Sequence, residues 1–263
     1  MNQQNQVVWI TGASSGLGRG MALEFASQGA TVAVSARRMD ELNSVVQEIE
    51  SKGGKAKAYF CDVLDPKTIE TCVDQILSDF GKLDVAVANA GFGVMGSIEQ
   101  LTEADWQRQF AGNVTGLALT CKYALPHLKK TKGRLALIGS VAAFVPNPGI
   151  GAYGASKAAV HNIGESLQVE LKGSGVSCTT IHPGFVDSNI TRIDNEGHFH
   201  PHRQDPRPAN LMWPTDKASK VMVAAIQKRK KVFVFTGHGK VVVFIGKYFP
   251  NLMRKVADKI APK

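Results

Sequence analysis

No apolar stretch in these 263 residues approaches the length that spans a bilayer; Val241–Ile245 is broken at once by Gly246 and Lys247. Cysteine is scarce. The four present (Cys61, Cys72, Cys121 and Cys178) are widely spaced and form no CxxC pair. That excludes a disulfide framework or a zinc site and predicts reduced, buried thiols in a cytoplasmic protein. The first ten residues, MNQQNQVVWI, lack the basic region of a signal peptide. Acidic residues are outnumbered, 22 against 31 Lys and Arg, for a net charge of +9. Such an excess suits an anionic cofactor, a membrane surface or nucleic acid. The cations are dispersed, however, except for Lys228–Lys231, and no aromatic stacking platform accompanies that run, so no nucleic acid is expected. Low-complexity tracts and linkers are also missing, and residues 1–263 read as one domain.

What is present is an alternation of short β-branched runs and longer helical patterns. Strands are predicted over Val7–Thr11, Thr31–Ser35, Ala56–Cys61, Asp84–Asn89, Arg134–Gly139, Val176–His182 and Val232–Thr236. Helices are predicted over Gly18–Gln28, Met39–Lys52, Pro66–Phe80, Thr102–Lys129 (bent near Pro126) and Ser156–Lys172. This rhythm specifies the α/β class: one Rossmann-type, doubly wound parallel sheet of about seven strands with helices on both faces. A ligand is expected at the carboxyl edge of the strands, where the strand order reverses.

Between the first strand and the first helix lies Thr11-Gly12-Ala13-Ser14-Ser15-Gly16-Leu17-Gly18. Glycines there let the chain turn tightly and let backbone N–H groups approach a pyrophosphate at a helix N-terminus. The spacing is G-x-x-x-G-x-G, and its placement carries more weight than the pattern itself. The second strand runs into Ser35-Ala36-Arg37-Arg38 with no carboxylate to hold a ribose 2′-hydroxyl. Arginines at that place can pair with a 2′-phosphate, which favours NADP(H) over NAD(H).

Of the four tyrosines only Tyr153 has a lysine four residues on, Lys157. On a helix the two share a face, and a lysine cation beside a phenol favours the phenolate, bringing its proton chemistry nearer neutral pH. Ser140 follows the strand Arg134–Gly139 and can reach the same sheet edge.

In order along the chain, TGASSGLG at Thr11–Gly18, Asp62-Val63, Asn89-Ala90-Gly91, Asn113 in NVTG, Ser140, Tyr153-Gly-Ala-Ser-Lys157 and Pro183-Gly184 resemble the motifs of the classical short-chain dehydrogenase/reductase family, from about Gln6 to about Val234. The resemblance implies a hydride exchange between NADP(H) and a secondary alcohol, ketone or aldehyde. Tyr153 would be the acid/base, Ser140 would hold the substrate oxygen, and Lys157 the nicotinamide ribose. Asn113 would hold a water relaying protons from Lys157. Asp62 and Val63 would meet the adenine, and Asn89, Ala90 and Gly91 would line the adenosine side. Pro183, Gly184, Val186 and Ser188 would border the carboxamide, Ser188 standing where the family usually has threonine. The family also implies a homodimer or homotetramer.

Two segments fall outside the rhythm. Residues 188–213 read as a substrate lid, with Phe199, Leu211, Met212 and Trp213 facing an apolar substrate together with Phe144, Val145 and Phe185. The alternating His198, His200 and His202 within it are not expected to bind metal. Residues 240–263 form an apolar and basic extension, divided by Pro250 into two short helices, resembling the tails of some hydroxysteroid- and retinol-type dehydrogenases; peripheral membrane contact is one use for it. Two other readings stay open: a reductase acting on acyl-carrier-bound 3-ketoacyl groups, and a redox sensor that binds NADP(H) without turnover.

Overall fold

The computed structural model describes residues 4–146, 148–200 and 202–260. Pro201 of the lid and residues 261–263 of the tail lie outside the described residues, as do the side chains of Val256, Lys259 and Ile260.

β1 (Val7–Thr11) is buried along its whole length, the mark of a strand covered on both faces. α1 (Gly16–Ser27) follows the glycine turn directly. β2 (Thr31–Ala36), α2 (Met39–Ser51) and β3 (Lys55–Phe60) come next; β3 carries exposed Lys55 and Lys57, as an edge strand requires. α3 (Pro66–Phe80) starts where the Asp65 side chain accepts the Lys67 amide, with Pro66 in the first turn, and stops at Gly81 with φ 74°. β4 (Val85–Ala88) leads to α4 (Glu103–Phe110), opened by a capping box between Thr102 and Asp105.

The long helix expected over Thr102–Lys129 is interrupted, and not at proline. Pro126 is carried inside α5 (Leu117–Thr131), while Ala111–Gly116 widens into a π-helical turn between α4 and α5. Close approach explains part of this. A Cβ on Gly112 would lie 2.6 Å from the Phe92 ring, and one on Gly116 would lie 2.7 Å from the Val63 carbonyl. β5 (Arg134–Ile138) precedes α6 (Gly151–Glu170), which begins five residues before the expected Ser156 and takes Tyr153 into its first turn. β6 (Ser177–His182), α7 (Thr215–Gln227) and β7 (Val232–Val234) complete the domain. Pro250 does divide the tail, into α8 (Gly237–Tyr248) and α9 (Pro250–Ile260).

The seven strands form one sheet in the order β3-β2-β1-β4-β5-β6-β7, every neighbouring pair parallel. Side chains alternate across it. Val8 and Ile10 face the layer of α1, α2 and α7 with Phe25, Ile49 and Met222; Trp9 faces α3, α5 and α6 with Ile76, Leu128 and Val160. Trp9 is fully buried and donates its indole N–H to Ser35 Oγ at 2.9 Å, so a large aromatic enters the core without an orphaned donor. All four cysteines are buried and free. The order reverses between β1 and β4, which opens the carboxyl edge at that point.

Candidate active site

The glycine turn is built by steric exclusion. Gly12 sits at φ 65°, and a Cβ there would come within 2.8 Å of the Ala90 Cα. Thr11 Oγ1 accepts the amides of Asn89 and Ala90, each at 3.1 Å, and Asn89 Nδ2 donates to the carbonyls of Thr11 and Gly12 at 2.9 and 3.1 Å. Asn89 therefore braces the turn with its amide. Ser15 stands at the N-cap of α1 without a side-chain cap, so the helix N-terminus is left open to the cleft beside it. Arg38 folds across this turn, donating to Ser14 Oγ at 3.0 Å while pairing with Glu41 at 2.9 Å; Arg37 is exposed at the same rim.

The cleft, about 320 Å³, is lined by every cofactor-side position named from the sequence, Gly12 through Ser188, and by Ser140, Tyr153 and Lys157. An uncapped helix end, a glycine turn that no side chain can fill and two arginines at the rim fit a dinucleotide phosphate on this structure's own geometry. Asp62 lies along the same wall, its Oδ1 accepting the Leu64 amide at 3.0 Å.

Asn113 lies beneath the cleft, wholly buried. Its side chain is committed: Oδ1 accepts the Phe92 amide at 3.0 Å, and Nδ2 donates to the Phe92 carbonyl at 2.9 Å and to Ser156 Oγ at 3.1 Å. Gln109 clamps the same segment, taking the Val94 amide at 2.7 Å and donating to the Phe92 carbonyl at 3.1 Å. Nothing in the sequence pattern marked Gln109. Gly91 is where the parts converge, since a Cβ there would meet Asn113 Oδ1 at 3.0 Å and Lys157 Nζ at 3.6 Å.

Lys157 Nζ donates to the Ile138 carbonyl at 2.8 Å, and burial pushes its pKa down to about 8. The expected depression of the Tyr153 phenol is not what the chain's own groups produce. Burial pushes the phenol up, and the Ser140 hydroxyl and then Arg207 pull part of the way back. The ammonium of Lys157 lies 5.7 Å from the Tyr153 ring centroid and lowers its own proton affinity instead.

Behind Ser140 is a histidine pair. His182 is fully buried, its Nδ1 lies 3.1 Å from the Ser140 carbonyl, and burial holds its pKa down at about 4. Its ring stands 5.0 Å from that of His161 and 4.8 Å from Phe144. A Cβ on Gly139 would fall 2.6 Å from His182 Nδ1, so only glycine lets the imidazole in.

The lid is a strap with defined latches. Ile193 and Phe199 bridge as a small hairpin, and Asp194 at its turn accepts the amides of Glu196 and His198 at 3.0 and 2.8 Å. His200 Nε2 lies 2.6 Å from Asp194 Oδ2, and His198 lies 3.5 Å from both Asp194 and Glu196. Asn195 exchanges two hydrogen bonds with the Met95 backbone, each 2.8 Å. Arg207, largely buried, grips Asp205 bidentately and donates to the carbonyls of Val186 at 3.0 Å and Ser188 at 3.2 Å. Sequence reasoning missed Asn195 and Arg207, whose roles depend on contacts across the fold.

The expected apolar lining needs correction. Phe199 borders the cleft, but Trp213 packs on Phe235 with 5.4 Å between centroids, Phe185 stacks on His238 at 5.2 Å, and Phe144 belongs to the histidine cluster. Leu211, Met212 and Val145 do not line it either. Their hydrophobicity serves packing. The apolar wall is made by Phe92, Ile190, Ile193 and Phe199, with Arg108 laid 4.9 Å over the Phe92 ring.

Comparison with known proteins fits this geometry. The chain is 36% identical over 193 residues to 11-beta-hydroxysteroid dehydrogenase A of Arachis hypogaea, covering 73% of this chain and 55% of that protein. It spans about half the length of the curated relatives it matches first. A short chain dehydrogenase of Burkholderia cenocepacia J2315 in complex with NADP superposes with TM-score 0.81 at 27% identity, over 91% of this chain and 100% of that one. A short chain dehydrogenase/reductase of Burkholderia phymatum in complex with NAD shares the fold at TM-score 0.85 and 24% identity, over 96% of each chain. Residues 6–198 match the short chain dehydrogenase family, and the chain belongs to it.

Proposed function

We propose that this chain is an NADP(H)-dependent oxidoreductase acting on an apolar secondary alcohol, ketone or aldehyde, with Tyr153 as its acid/base. The observation that carries the reading is the meeting of Ser140, Tyr153 and Lys157 in the same cleft as the glycine turn. NADP(H) would supply or accept the hydride there. The chain's own groups manage the proton and the orientation. Burial keeps the Tyr153 phenol protonated at neutral pH, the form that donates to a carbonyl oxygen during reduction. The Ser140 hydroxyl beside it directs that oxygen, and Lys157, anchored on the Ile138 carbonyl, places a cation next to the phenol. Asn113, its side chain spent on Phe92 and Ser156, holds the floor under Gly91 and leaves any proton relay to main-chain groups. Phe92, Ile190, Ile193 and Phe199 give the substrate an apolar wall.

The test is consumption of NADPH and of NADH against a panel of aliphatic, aromatic and steroidal ketones. Tyr153→Phe should lose about 10²–10⁴-fold in turnover while still binding NADPH. An active Tyr153→Phe enzyme would remove the catalytic assignment, and tight NADPH binding without turnover on any ketone would favour the sensor. Cofactor choice is tested by Arg38→Ala. One charge-assisted contact to a 2′-phosphate is worth about 1.5–3 kcal/mol, so the KM for NADPH should rise about tenfold or more and that for NADH stay level. Equal changes for both cofactors would withdraw the preference.

A further inference from the structure

The tail carries a surface that the redox reading leaves unused. On α8 and α9, Val241, Phe244, Tyr248, Phe249 and Leu252 each keep half or more of their area open to solvent. They form one patch: the Phe244 ring lies 5.1 Å from Tyr248 and 6.0 Å from Phe249, centroid to centroid. Five large apolar side chains together on a surface mark a contact site. The exposed stripe of α8 also carries its cations. At 3.6 residues per turn, Lys247, Lys240, Phe244, Tyr248 and Val241 fall in that order within an arc of roughly 120°. The lysines thus edge the apolar strip, and Lys247 Nζ sits 5.6 Å from the Tyr248 ring centroid. On α9, Arg254 and Lys255 are exposed, and Asp258 is the one acid between Gly237 and Ile260.

The opposite face of α8 is fastened to the domain. A Cβ on Gly239 would press on the Val141 side chain, and one on Gly246 would strike the Phe144 carbonyl. Glycines let the helix lie close against the chain that follows Ser140, so the helix cannot roll to bury its aromatic side. No described element covers that side.

We propose that this face docks on an anionic lipid surface, with the aromatic residues in the interface and Lys240, Lys247, Arg254 and Lys255 at the headgroups. Charge decides between occupants. A lipid surface bearing phosphate headgroups neutralises the lysine edge. A two-fold contact with a second copy would set the same cations against each other. No described helix is long and apolar enough to cross a bilayer, so the contact is peripheral. The proposal does not rest on the redox reading.

The test uses the full chain and sedimentation with vesicles of phosphatidylcholine alone or mixed with phosphatidylglycerol. Binding should require the anionic lipid and weaken with salt, falling about fivefold for each of Lys240→Gln and Lys247→Gln. Phe244→Ser with Phe249→Ser should lower it at least tenfold, while thermal melting and NADPH turnover in lipid-free buffer stay unchanged. Any of three results would overturn the proposal: no sedimentation with anionic vesicles, undiminished binding by the double serine variant, or a solution mass that halves in that variant. The last would give the face to a second copy.

Discussion

The two walls of the cleft are held by different physics. The cofactor wall is backbone against backbone: Gly12 at φ 65° rests on Ala90, and Thr11 and Asn89 tie the turn to the end of β4. Its position follows from the packed sheet beneath it, where Trp9, Ile10 and Val87 are fully buried. The lid wall has no such footing. It is fastened by side chains, Asn195 on Met95 and Arg207 on Val186 and Ser188, over a segment with only short 3₁₀ turns. A close-packed wall fails abruptly when crowded, whereas a latched wall should loosen by degrees.

The sharpest way to break the first wall is Gly12→Ala. The left-handed conformation costs a non-glycine residue about 1–2 kcal/mol, and the new Cβ would lie 2.8 Å from the Ala90 Cα. Together these should cost about 3 kcal/mol or more. Titration of NADPH fluorescence should show affinity down about a hundredfold. Affinity within threefold of wild type would mean that the turn shifts freely, and the contrast between the walls would fall.

Between the walls stands Ser140, with His182 behind it. The His182 pKa is held down at about 4 in the folded chain, against an ordinary value near 6.5. Between those values the unfolded chain binds a proton that the folded chain refuses. Stability from this group is therefore complete above pH 6.5 and drains as pH falls toward 4, by about 2 kcal/mol at pH 5. His182→Asn cannot titrate and can still donate to the Ser140 carbonyl. Urea unfolding at pH 7 and pH 5 should show the wild type losing about 2 kcal/mol more than this variant. Equal losses would mean that His182 takes up its proton in place. His161, whose pKa burial also lowers, and Lys157 face the same ring and contribute to both proteins alike.

The same contrast explains what could be read in advance. The cofactor wall was legible because its signals are local: a strand, a glycine turn and a helix follow one another within Val7–Ser27. Arg38 needed only the neighbouring strand end. The lid was legible as a segment but not as a mechanism. Asn195 meets Met95 across 100 positions of sequence, and no local pattern encodes that. Trp213 and Phe185 were placed at the substrate by their hydrophobicity, which does not distinguish a ligand-facing ring from one packed on Phe235 or His238. α7 was overlooked although Ala218, Met222 and Ile226 repeat at helical spacing, because the proline-rich lid before it masked the start. The π turn over Ala111–Gly116 depends on Phe92 and Val63 pressing on glycines from other elements.

The gentlest test acts on the lid alone. Arg207→Met removes the donors to the Val186 and Ser188 carbonyls and leaves Asp205 without its partner, at a site near the edge of the cleft. If the lid is latched, the cost falls on the stretch 186–188 that borders the cofactor, and KM should rise about tenfold, roughly 1.4 kcal/mol. Thermal melting should barely move, since the core layers do not include residue 207. A second readout separates the latch from mere packing. Arg207 helps pull the Tyr153 phenol down, so its loss should push that phenol further up and shift the onset of alcohol oxidation to higher pH. A KM and a pH profile both like wild type would show that the lid holds its place without this arginine, and the lid wall would then belong with the packed one.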